Sequence, residues 1–305
     1  MKLSPLTPKD YLSLKPYFEN QRHRLCVYSL PSLLSWTNDT YQPCGAVYDD
    51  ALIIAADFYR EPQKRHLILP ISPHSQFAPE TLYALAEDMG YPSYWFVTED
   101  YLQQYDAERI KSLFIIREQE EYEDYIYRKS DLAELTGNPY SKKRNLIHQF
   151  VKTYVNTDRV RIETITSESA AECIRFLDEW CEERQCDQNE YDELACERQA
   201  ALNTIRHIEM FAVKGILLRI DGDVSAFGIG AYLTEAIGVL HFEKAFSRYK
   251  GLYQYFDNQC ARVLFDGYTF INKESDMGVP GLARAKQSYH PTMRMKSYEL
   301  VLKKQ

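Results

Sequence analysis

The chain has 305 residues, 45% of them hydrophobic and 13% aromatic, which is enough for one or two packed cores. Its 36 basic and 44 acidic side chains give a formal net charge of -8, which excludes a protein-wide electrostatic attraction to nucleic acid or to anionic membranes. Any recognition of an anion must therefore be local. The length leads us to expect two domains.

Export and metal binding are not indicated by the sequence. No apolar run approaches the roughly 18 to 20 residues of a membrane-spanning helix, and residues 1–10 lack the apolar core of a secretory signal. We therefore expect a cytoplasmic protein without a transmembrane segment. The seven cysteines are odd in number, which favours reduced thiols over disulfides. Three of them, Cys181, Cys186 and Cys196, lack the spacing of a zinc finger or ribbon, so we predict no metal site.

Strand and helix patterns alternate through the first part of the chain, which predicts a mixed α/β domain. Asp49 and Asp50 form the predicted turn of a hairpin, because aspartate tolerates unusual backbone angles. The predicted helices are residues 8–18, 79–90 and 101–110, and the predicted strands are the hairpin over 45–58 and segments 66–70, 94–100 and 112–119.

The cluster Gly137-Asn138-Pro139 interrupts regular structure and is the predicted domain boundary. It follows a tyrosine-rich segment, residues 120–135, which we interpret as a linker. The predicted domains are therefore 1–136 and 137–305. The second domain begins with helix 141–154, strand 160–166 and helices 167–186 and 199–211.

From residue 215 the hydrophobic period becomes two, which predicts a three-stranded antiparallel meander. Gly228 and Gly230 lie in its middle strand, where glycine often marks a bulge or a close backbone approach. The meander strands are 215–220, 224–233 and 237–246, and they are followed by helix 251–265, strand 267–274, helix 281–289 and strand 293–302.

A local anion site is predicted where the third meander strand joins its helix. Arg248 and Lys250 precede Gly251, and the free N–H groups of a helix N-terminus favour a negative ligand. The alternative is that both cations are solvated turn charges.

A second cationic candidate is the triplet Lys142, Lys143 and Arg144, which begins a helix although a helix N-terminus ordinarily favours acids. It indicates an anionic partner such as tRNA. The alternative is a solvated charge run, or one that pairs with the acidic residues 120–124.

Carboxylates and lysines end two strands that we expect to be neighbours. Glu243 and Lys244 end the third meander strand, and Asn272, Glu274 and Asp276 end the next one. With a further lysine nearby, this set is able to deprotonate an attacking amine and to stabilise an oxyanion. A structural ion network is the alternative.

The further lysine is Lys286, on the apolar face of the helix over 281–289, four residues after Leu282 and three before Tyr289. Lysine is almost never fully buried without a partner. We therefore expect Lys286 either to pair with one of the carboxylates of Glu243, Glu274 and Asp276 or to extend outward.

Three stretches, residues 124–150, 241–254 and 271–291, resemble an uncharacterised bacterial family related to the C-terminal domain of phosphatidylglycerol lysyltransferases. The order of elements after residue 141 also resembles the N-acetyltransferase (GNAT) superfamily. Like the Fem-type aminoacyltransferases, such domains carry two tandem GNAT-like folds. The resemblance implies an α/β (α+β) protein of two tandem GNAT-like domains with mixed, largely antiparallel sheets, the first domain being a degenerate copy.

The resemblance further implies a transferase. Its donor would be aminoacyl-tRNA or acyl-CoA, its acceptor an amine or hydroxyl of a small molecule, lipid or peptide, and it would hold no tightly bound cofactor. A lysine matching Lys286 lines the donor site of the related lysyltransferases. In the GNAT fold the loop that matches Arg248 to Gly251 holds the pyrophosphate of the acyl carrier.

The functional hypothesis is therefore an acyltransferase or aminoacyltransferase with its site between splayed strands. In this hypothesis, the proton is transferred by Glu243 or Tyr253. The donor is bound by Lys244, Arg248, Lys250 and Gly251, and it is oriented by Lys286 with Glu274 or Asp276. Residues 142–144 contact tRNA. The alternatives are a non-catalytic ligand-binding or regulatory module that retains the fold, and a structural interaction protein. Donor, acceptor and oligomeric state stay open.

Overall fold

The computed structural model describes residues 1–38, 40–74, 76–184 and 192–304. The strands are β1 (Ser4–Pro5), β2 (Tyr41–Tyr48), β3 (Ala51–Phe58), β4 (His66–Leu67), β5 (Ser93–Thr98), β6 (Phe114–Glu118), β7 (Asp124–Arg128), β8 (Val160–Thr164), β9 (Lys214–Ile220), β10 (Asp223–Thr234), β11 (Ile237–Ala245), β12 (Phe270–Asn272), β13 (Met293–Met295) and β14 (Ser297–Leu302). The helices are α1 (Tyr11–Phe18), α2 (Leu30–Ser35), α3 (Pro79–Met89), α4 (Glu99–Gln104), α5 (Ala107–Leu113), α6 (Lys129–Glu134), α7 (Ser141–Phe150), α8 (Ser167–Arg184), α9 (Asp192–Arg206), α10 (Leu252–Val263) and α11 (Pro280–Gln287).

The strands form two seven-stranded sheets, ordered β1-β2-β3-β4-β5-β14-β6 and β13-β7-β12-β11-β10-β9-β8. Most neighbours are antiparallel, and one pair in each sheet, β4 with β5 and β11 with β12, is parallel. Helices α8 and α9 pack on one face of the second sheet, and α10 packs on the other. The predicted class, α/β with two mixed and largely antiparallel sheets, is confirmed.

Local signals placed the turns correctly. Asp49 and Asp50 join β2 to β3 with positive φ angles of 49° and 58°, and Gly90 ends α3 with φ of 71°. These are left-handed conformations, which aspartate and glycine adopt at the lowest cost. Asp221 and Gly222 join β9 to β10 in the same way, with φ angles of 56° and 98°.

The glycines of the meander lie where α10 and the turn after it approach the sheet. A Cβ on Gly228 would come within 2.6 Å of Cys260 Sγ, and one on Gly230 within 2.6 Å of Phe265 Cζ. The pairing of β10 with β11 also shifts register at this point, so that His241 is the extra residue of a β-bulge. The expected bulge is therefore present, whereas the close approach to these glycines is made by side chains of α10 and of the turn after it.

Two predicted elements are each divided. The helix expected over 101–110 is two helices, because Asp106 leaves the helical conformation and accepts a hydrogen bond from the Arg109 amide as the N-cap of α5. The last strand, expected over 293–302, is β13 in the second sheet and β14 in the first, with Lys296 between them. The C-terminal segment therefore passes from one sheet to the other.

A boundary at residue 137 does not separate the two sheets. The tyrosine-rich segment, interpreted as a linker, contributes β7, which lies between β12 and β13 in the second sheet. Its Tyr125 and Tyr127 are buried, whereas a linker would leave them exposed. Conversely, β14 completes the first sheet between β5 and β6. The halves are interlocked, and the "first half" below means residues 1–123 with β14.

Among the residues that the structure describes, none of Cys26, Cys44, Cys173, Cys181 and Cys260 is in a disulfide. Cys186 and the side chain of Cys196 lie outside the described part of the chain.

Candidate active site

Strands β11 and β12 run parallel but separate after three paired residues of each. Beyond this point side chains bridge the gap between them. Glu243 Oε2 accepts a hydrogen bond from Lys273 Nζ at 3.0 Å, and His241 Nδ1 lies 2.8 Å from Glu274 Oε1. We call these two pairs the rungs. They place polar side chains between the splayed strands, where the functional hypothesis locates the site; His241 is buried, and the other three side chains are partly exposed.

The Glu243–Lys273 rung belongs to a buried cluster. Lys273 Nζ also donates to Asp257 Oδ1 of α10 at 2.5 Å. Burial, and then repulsion from Asp257, raise the pKa of Glu243 to about 7, while Lys273 acts in the opposite direction. Burial alone would lower the pKa of Lys273, but Asp257 and Glu243 raise it well above its ordinary value. An ammonium group that stays charged thus lies beside a carboxyl group that titrates near neutral pH.

Lys143 and Tyr289 form a wall of this cluster. Lys143 Nζ donates to Ser288 Oγ at 2.7 Å and lies 3.8 Å from the centroid of the Tyr289 ring. Burial lowers the pKa of Lys143, and the nearby carboxylate of Asp257 acts in the opposite direction. Burial, and then Asp257, raise the pKa of Tyr289 well above its ordinary value. One residue of the predicted tRNA-binding triplet therefore faces the cluster.

Lys286 is turned inward, as its helical position predicts, but its contacts differ from the expected ion pair. Its Nζ donates to the carbonyl oxygens of Lys273, Glu274 and Ser275 at 2.6, 3.1 and 2.5 Å. Burial lowers its pKa. An ammonium group carries three donors, and three converging carbonyls use all of them. Lys286 thus fixes the backbone that carries one residue of each rung.

Asp276 shapes the same loop. Its carboxylate accepts a hydrogen bond from the Tyr125 hydroxyl at 2.5 Å and another from the Gly278 amide at 2.9 Å. Both contacts are within the protein, so in this structure Asp276 holds the loop after β12 against β7.

Other predicted site residues lie beside α8 and α9. Lys244 pairs with Glu197 at 2.6 Å and lies 4.6 Å from the Trp180 ring centroid. The Tyr253 hydroxyl accepts a hydrogen bond from Trp180 Nε1 at 3.3 Å. The side chains of successive strand residues point to opposite faces of the sheet. Lys244 therefore lies on the face opposite to Glu243 and is not part of the cluster. The second lysine of the cluster is Lys273 instead.

The predicted anion loop is held by protein contacts. Arg248 pairs with Glu183 and stacks on the Phe246 ring at 3.6 Å, while Lys250 is exposed. Gly251, with φ of 85°, is the N-cap of α10.

Two members of the basic triplet lie away from the cluster. Arg144 donates to the carbonyl oxygens of Leu135 and Gly137 and so satisfies the end of α6. Lys142 is exposed. Only Lys143 therefore reaches the cluster.

Sequence reasoning did not include Lys273, Asp257 or His241 among the candidate site residues. Lys273 lies between Asn272 and Glu274, both of which were singled out, so its position at a strand end was a usable signal. Asp257 follows Phe256 on the apolar face of α10, where an acid is unexpected. His241 gave no such signal, because its partners are far away in the chain.

In the first half, the matching gap between parallel strands is filled. Strands β4 and β5 pair at Leu67 and Tyr94. Beyond this pairing the hydroxyl of the fully buried Tyr28 accepts from the Leu69 amide at 3.3 Å and donates to the Phe96 carbonyl at 3.0 Å. A side chain of the protein itself occupies this gap, so the second half carries the candidate site.

The fold and the family to which the chain is matched point to an acyltransferase-like protein. The chain belongs to the family described as phosphatidylglycerol lysyltransferase, C-terminal, whose model matches residues 23–300. In the described residues, no helix has both the length and the apolar character that crossing a membrane requires.

Two solved structures share this fold over nearly their whole length. A conserved protein of unknown function from Bacteroides thetaiotaomicron is 28% identical, with a TM-score of 0.89 over 99% of this chain and 100% of that one. The C-terminal domain of a proposed lysylphosphatidylglycerol synthetase from Agrobacterium fabrum is 12% identical, with a TM-score of 0.65 over 97% and 92% of the two chains. At that identity the likeness concerns the fold alone.

An uncharacterized protein of Mycoplasmoides gallisepticum is 23% identical over 187 residues, which are 57% of this chain and 54% of that protein. The chain thus spans about half the length of the curated relative that it matches.

Proposed function

We propose that this protein transfers an acyl or aminoacyl group from a carrier to an amine or hydroxyl acceptor in the gap between β11 and β12. The observation that carries this proposal is the Glu243–Lys273 rung. It pairs a partly exposed carboxyl group, with a pKa of about 7, with an ammonium group that stays charged.

Glu243 and Lys273 supply complementary parts of such a reaction. The acceptor nitrogen or oxygen attacks the donor carbonyl, and Glu243 takes its proton; a base with a pKa near the working pH is suited to this step. Lys273 stabilises the oxyanion of the tetrahedral intermediate. The intermediate collapses by breaking the ester or thioester bond, and protonated Glu243 returns the proton to the leaving group.

The donor side of the proposal uses residues around α10 and the loop after β12. Arg248, Lys250 and the Gly251 backbone would contact the carrier phosphate, with Arg248 exchanging Glu183 for it. Glu274 would orient the donor with one carboxylate edge, since its side chain is 24% exposed while the other edge contacts His241. Tyr253 and Lys244, which contact Trp180, have contacts that fit a structural role better than proton transfer or donor binding.

The name of the Agrobacterium fabrum relative favours an aminoacyl donor and a lipid acceptor. The resemblance of the sequence to the GNAT superfamily favours acyl-CoA instead. Labelled aminoacyl-tRNA and acyl-CoA should be incubated with the purified protein and mixed amine, peptide and lipid acceptors. Discharge of aminoacyl-tRNA that falls steeply with salt identifies a tRNA donor, because phosphate contacts release counterions. Discharge of acyl-CoA at a rate that does not change with salt concentration identifies acyl-CoA as the donor.

The decisive variant is Glu243→Gln, which keeps the shape of the side chain and removes the base. We expect it to lower the rate of discharge about 100-fold or more. The matched control is Glu235→Gln, at an exposed turn, which should leave the rate unchanged. Equal rates for Glu243→Gln and wild type would refute the catalytic assignment, and donor binding without any discharge would favour a non-catalytic module.

A further inference from the structure

Glu274 is held at both of its ends in an unfavourable backbone conformation. Its φ angle is 60°, in the left-handed region that side chains other than glycine rarely adopt. Its amide donates to Asn272 Oδ1 at 2.7 Å, and its carboxylate Oε1 lies 2.8 Å from His241 Nδ1. Such a conformation persists only where the surroundings determine it, and here two buried side chains do so.

Each of the two side chains that contact Glu274 also forms a hydrogen bond with a residue of the first half. His241 Nε2 lies 2.9 Å from Ser29 Oγ, across 212 residues of sequence. Asn272 Nδ2 donates to the carbonyl oxygen of Arg24 at 3.0 Å. Residues 24–29, which we call the bridging segment, thus lie one hydrogen bond beyond each of the two side chains that hold Glu274.

A third contact ties the middle of the bridging segment to the same place. The Cys26 amide donates to Asp124 Oδ2 at 2.6 Å, and Asn272 Nδ2 donates to the same oxygen at 2.7 Å. Asp124 is fully buried, and burial raises its pKa to about 6. The bridging segment is therefore fixed at its beginning, middle and end against residues that carry the candidate site.

Ser29, His241 and Glu274 are connected as in a serine hydrolase triad, with hydroxyl, imidazole and carboxylate in series. A nucleophile must reach the substrate, however, and Ser29 is only 1% exposed while His241 is 6% exposed. The buried end of the chain is the serine, and the exposed end is the carboxylate. These hydrogen bonds therefore orient the Glu274 side chain. They do not present the Ser29 hydroxyl to a substrate as a nucleophile.

We infer that the first half acts as a positioning element for the site of the second half, with Ser29, His241 and Asn272 as positioning residues for Glu274. This inference rests on the proposed function, in which Glu274 orients the donor. It gives a role to a half whose own gap between parallel strands is filled by Tyr28.

The test compares two serines of α2 and its cap. Ser29 and Ser35 are each 1% exposed and each contact the second half, Ser29 through His241 and Ser35 through Thr204 Oγ1 at 2.7 Å. Ser29→Ala should increase amide hydrogen exchange in residues 273–278 about fivefold or more, as loss of one supporting hydrogen bond allows. It should also lower kcat for transfer by up to about 100-fold with little change in KM, because donor orientation is lost. Ser35→Ala should do neither.

A second pair of variants separates orientation from packing. In His241→Asn the amide nitrogen can replace Nδ1 and keep the contact with Glu274, whereas in His241→Gln it can replace only Nε2 and keep the contact with Ser29. We expect His241→Asn to retain more protection of residues 273–278 than His241→Gln.

The exchange measurement does not depend on turnover. If wild type transfers no group from any donor, the proposed function fails, while the exchange comparison still decides whether the bridging segment positions Glu274. Equal exchange in residues 273–278 for Ser29→Ala and Ser35→Ala would overturn the inference, as would greater protection in His241→Gln than in His241→Asn.

Discussion

At the scale of single residues, the environment of Glu243 decides its charge. Water would leave this carboxyl group ionised at neutral pH, but burial and the nearby Asp257 raise its pKa to about 7. Lys273 limits the rise, since its ammonium group favours the ionised form. The balance leaves a group that can both accept and return a proton under ordinary conditions.

This balance predicts a pH dependence of transfer. The active form of Glu243 is the carboxylate, and its raised pKa moves the loss of activity from acidic to near-neutral pH. The rate should therefore fall about tenfold for each pH unit below about 7 and level off above it. Asp257→Asn removes the repulsion and should move the midpoint to lower pH. A wild-type midpoint near about 4.3, the value of an unperturbed glutamate, would contradict this account.

At the scale of elements, α10 carries Asp257 into the cluster, and its position depends on contact with α7. At its N-terminus, a Cβ on Gly251 would come within 2.2 Å of the Leu146 carbonyl oxygen. Real Cβ atoms do not approach backbone so closely, so the two helices can lie this near each other only with glycine there. The glycine that sequence reasoning assigned to an anion site also has a packing function.

Gly251→Ala should therefore destabilise the protein more than an ordinary glycine substitution. Both the left-handed φ of 85° and the contact with Leu146 oppose it, and we expect a loss of about 3 kcal/mol or more in the free energy of unfolding. Gly267→Ala is the control, because Gly267 has a similar φ of 90° and no atom within 4 Å of the added Cβ. It should cost only about 1–2 kcal/mol. Denaturant unfolding of both variants measures the difference, and equal losses would show that the helix contact is unimportant.

At the scale of the whole molecule, the two sheets exchange strands. Strand β7 follows the elements of the first half but lies in the second sheet, and β14 follows those of the second half but lies in the first. The hydrophobic core of the first half also includes Leu233, Ile237 and Val239, which belong to β10 and β11 of the second sheet. Folding of either sheet thus requires both parts of the chain.

Removal of residues 297–305 should consequently unfold the first half. Strand β14 pairs with β5 on one side and β6 on the other, so its loss leaves β6 without a partner strand and β5 paired only with β4. We expect this deletion to abolish cooperative thermal unfolding, whereas deletion of residues 304 and 305 should preserve it. Calorimetry of the two truncated chains makes the comparison. A cooperative transition near the wild-type temperature for the longer deletion would mean that the sheets fold independently.

Much of the candidate site was accessible from the sequence because it depends on local patterns. Alternating hydrophobicity located the meander, and polar residues at strand ends identified Glu243, Glu274 and Asp276. An inward helical position identified Lys286. The partners of these residues could not be predicted from local patterns. For Lys286 we expected a carboxylate partner, but its ammonium group donates to three backbone carbonyls.

By itself, the sequence determined the elements, the fold class and the family resemblance, because turns, periodicity and motifs are properties of neighbouring residues. Only the tertiary structure decided that Lys273 rather than Lys244 completes the cluster, that β7 and β14 cross between the sheets, and that Ser29 lies against His241. These outcomes depend on contacts between residues far apart in the chain. Hydrophobic period carries information about which face is buried, but none about which distant group will lie against it.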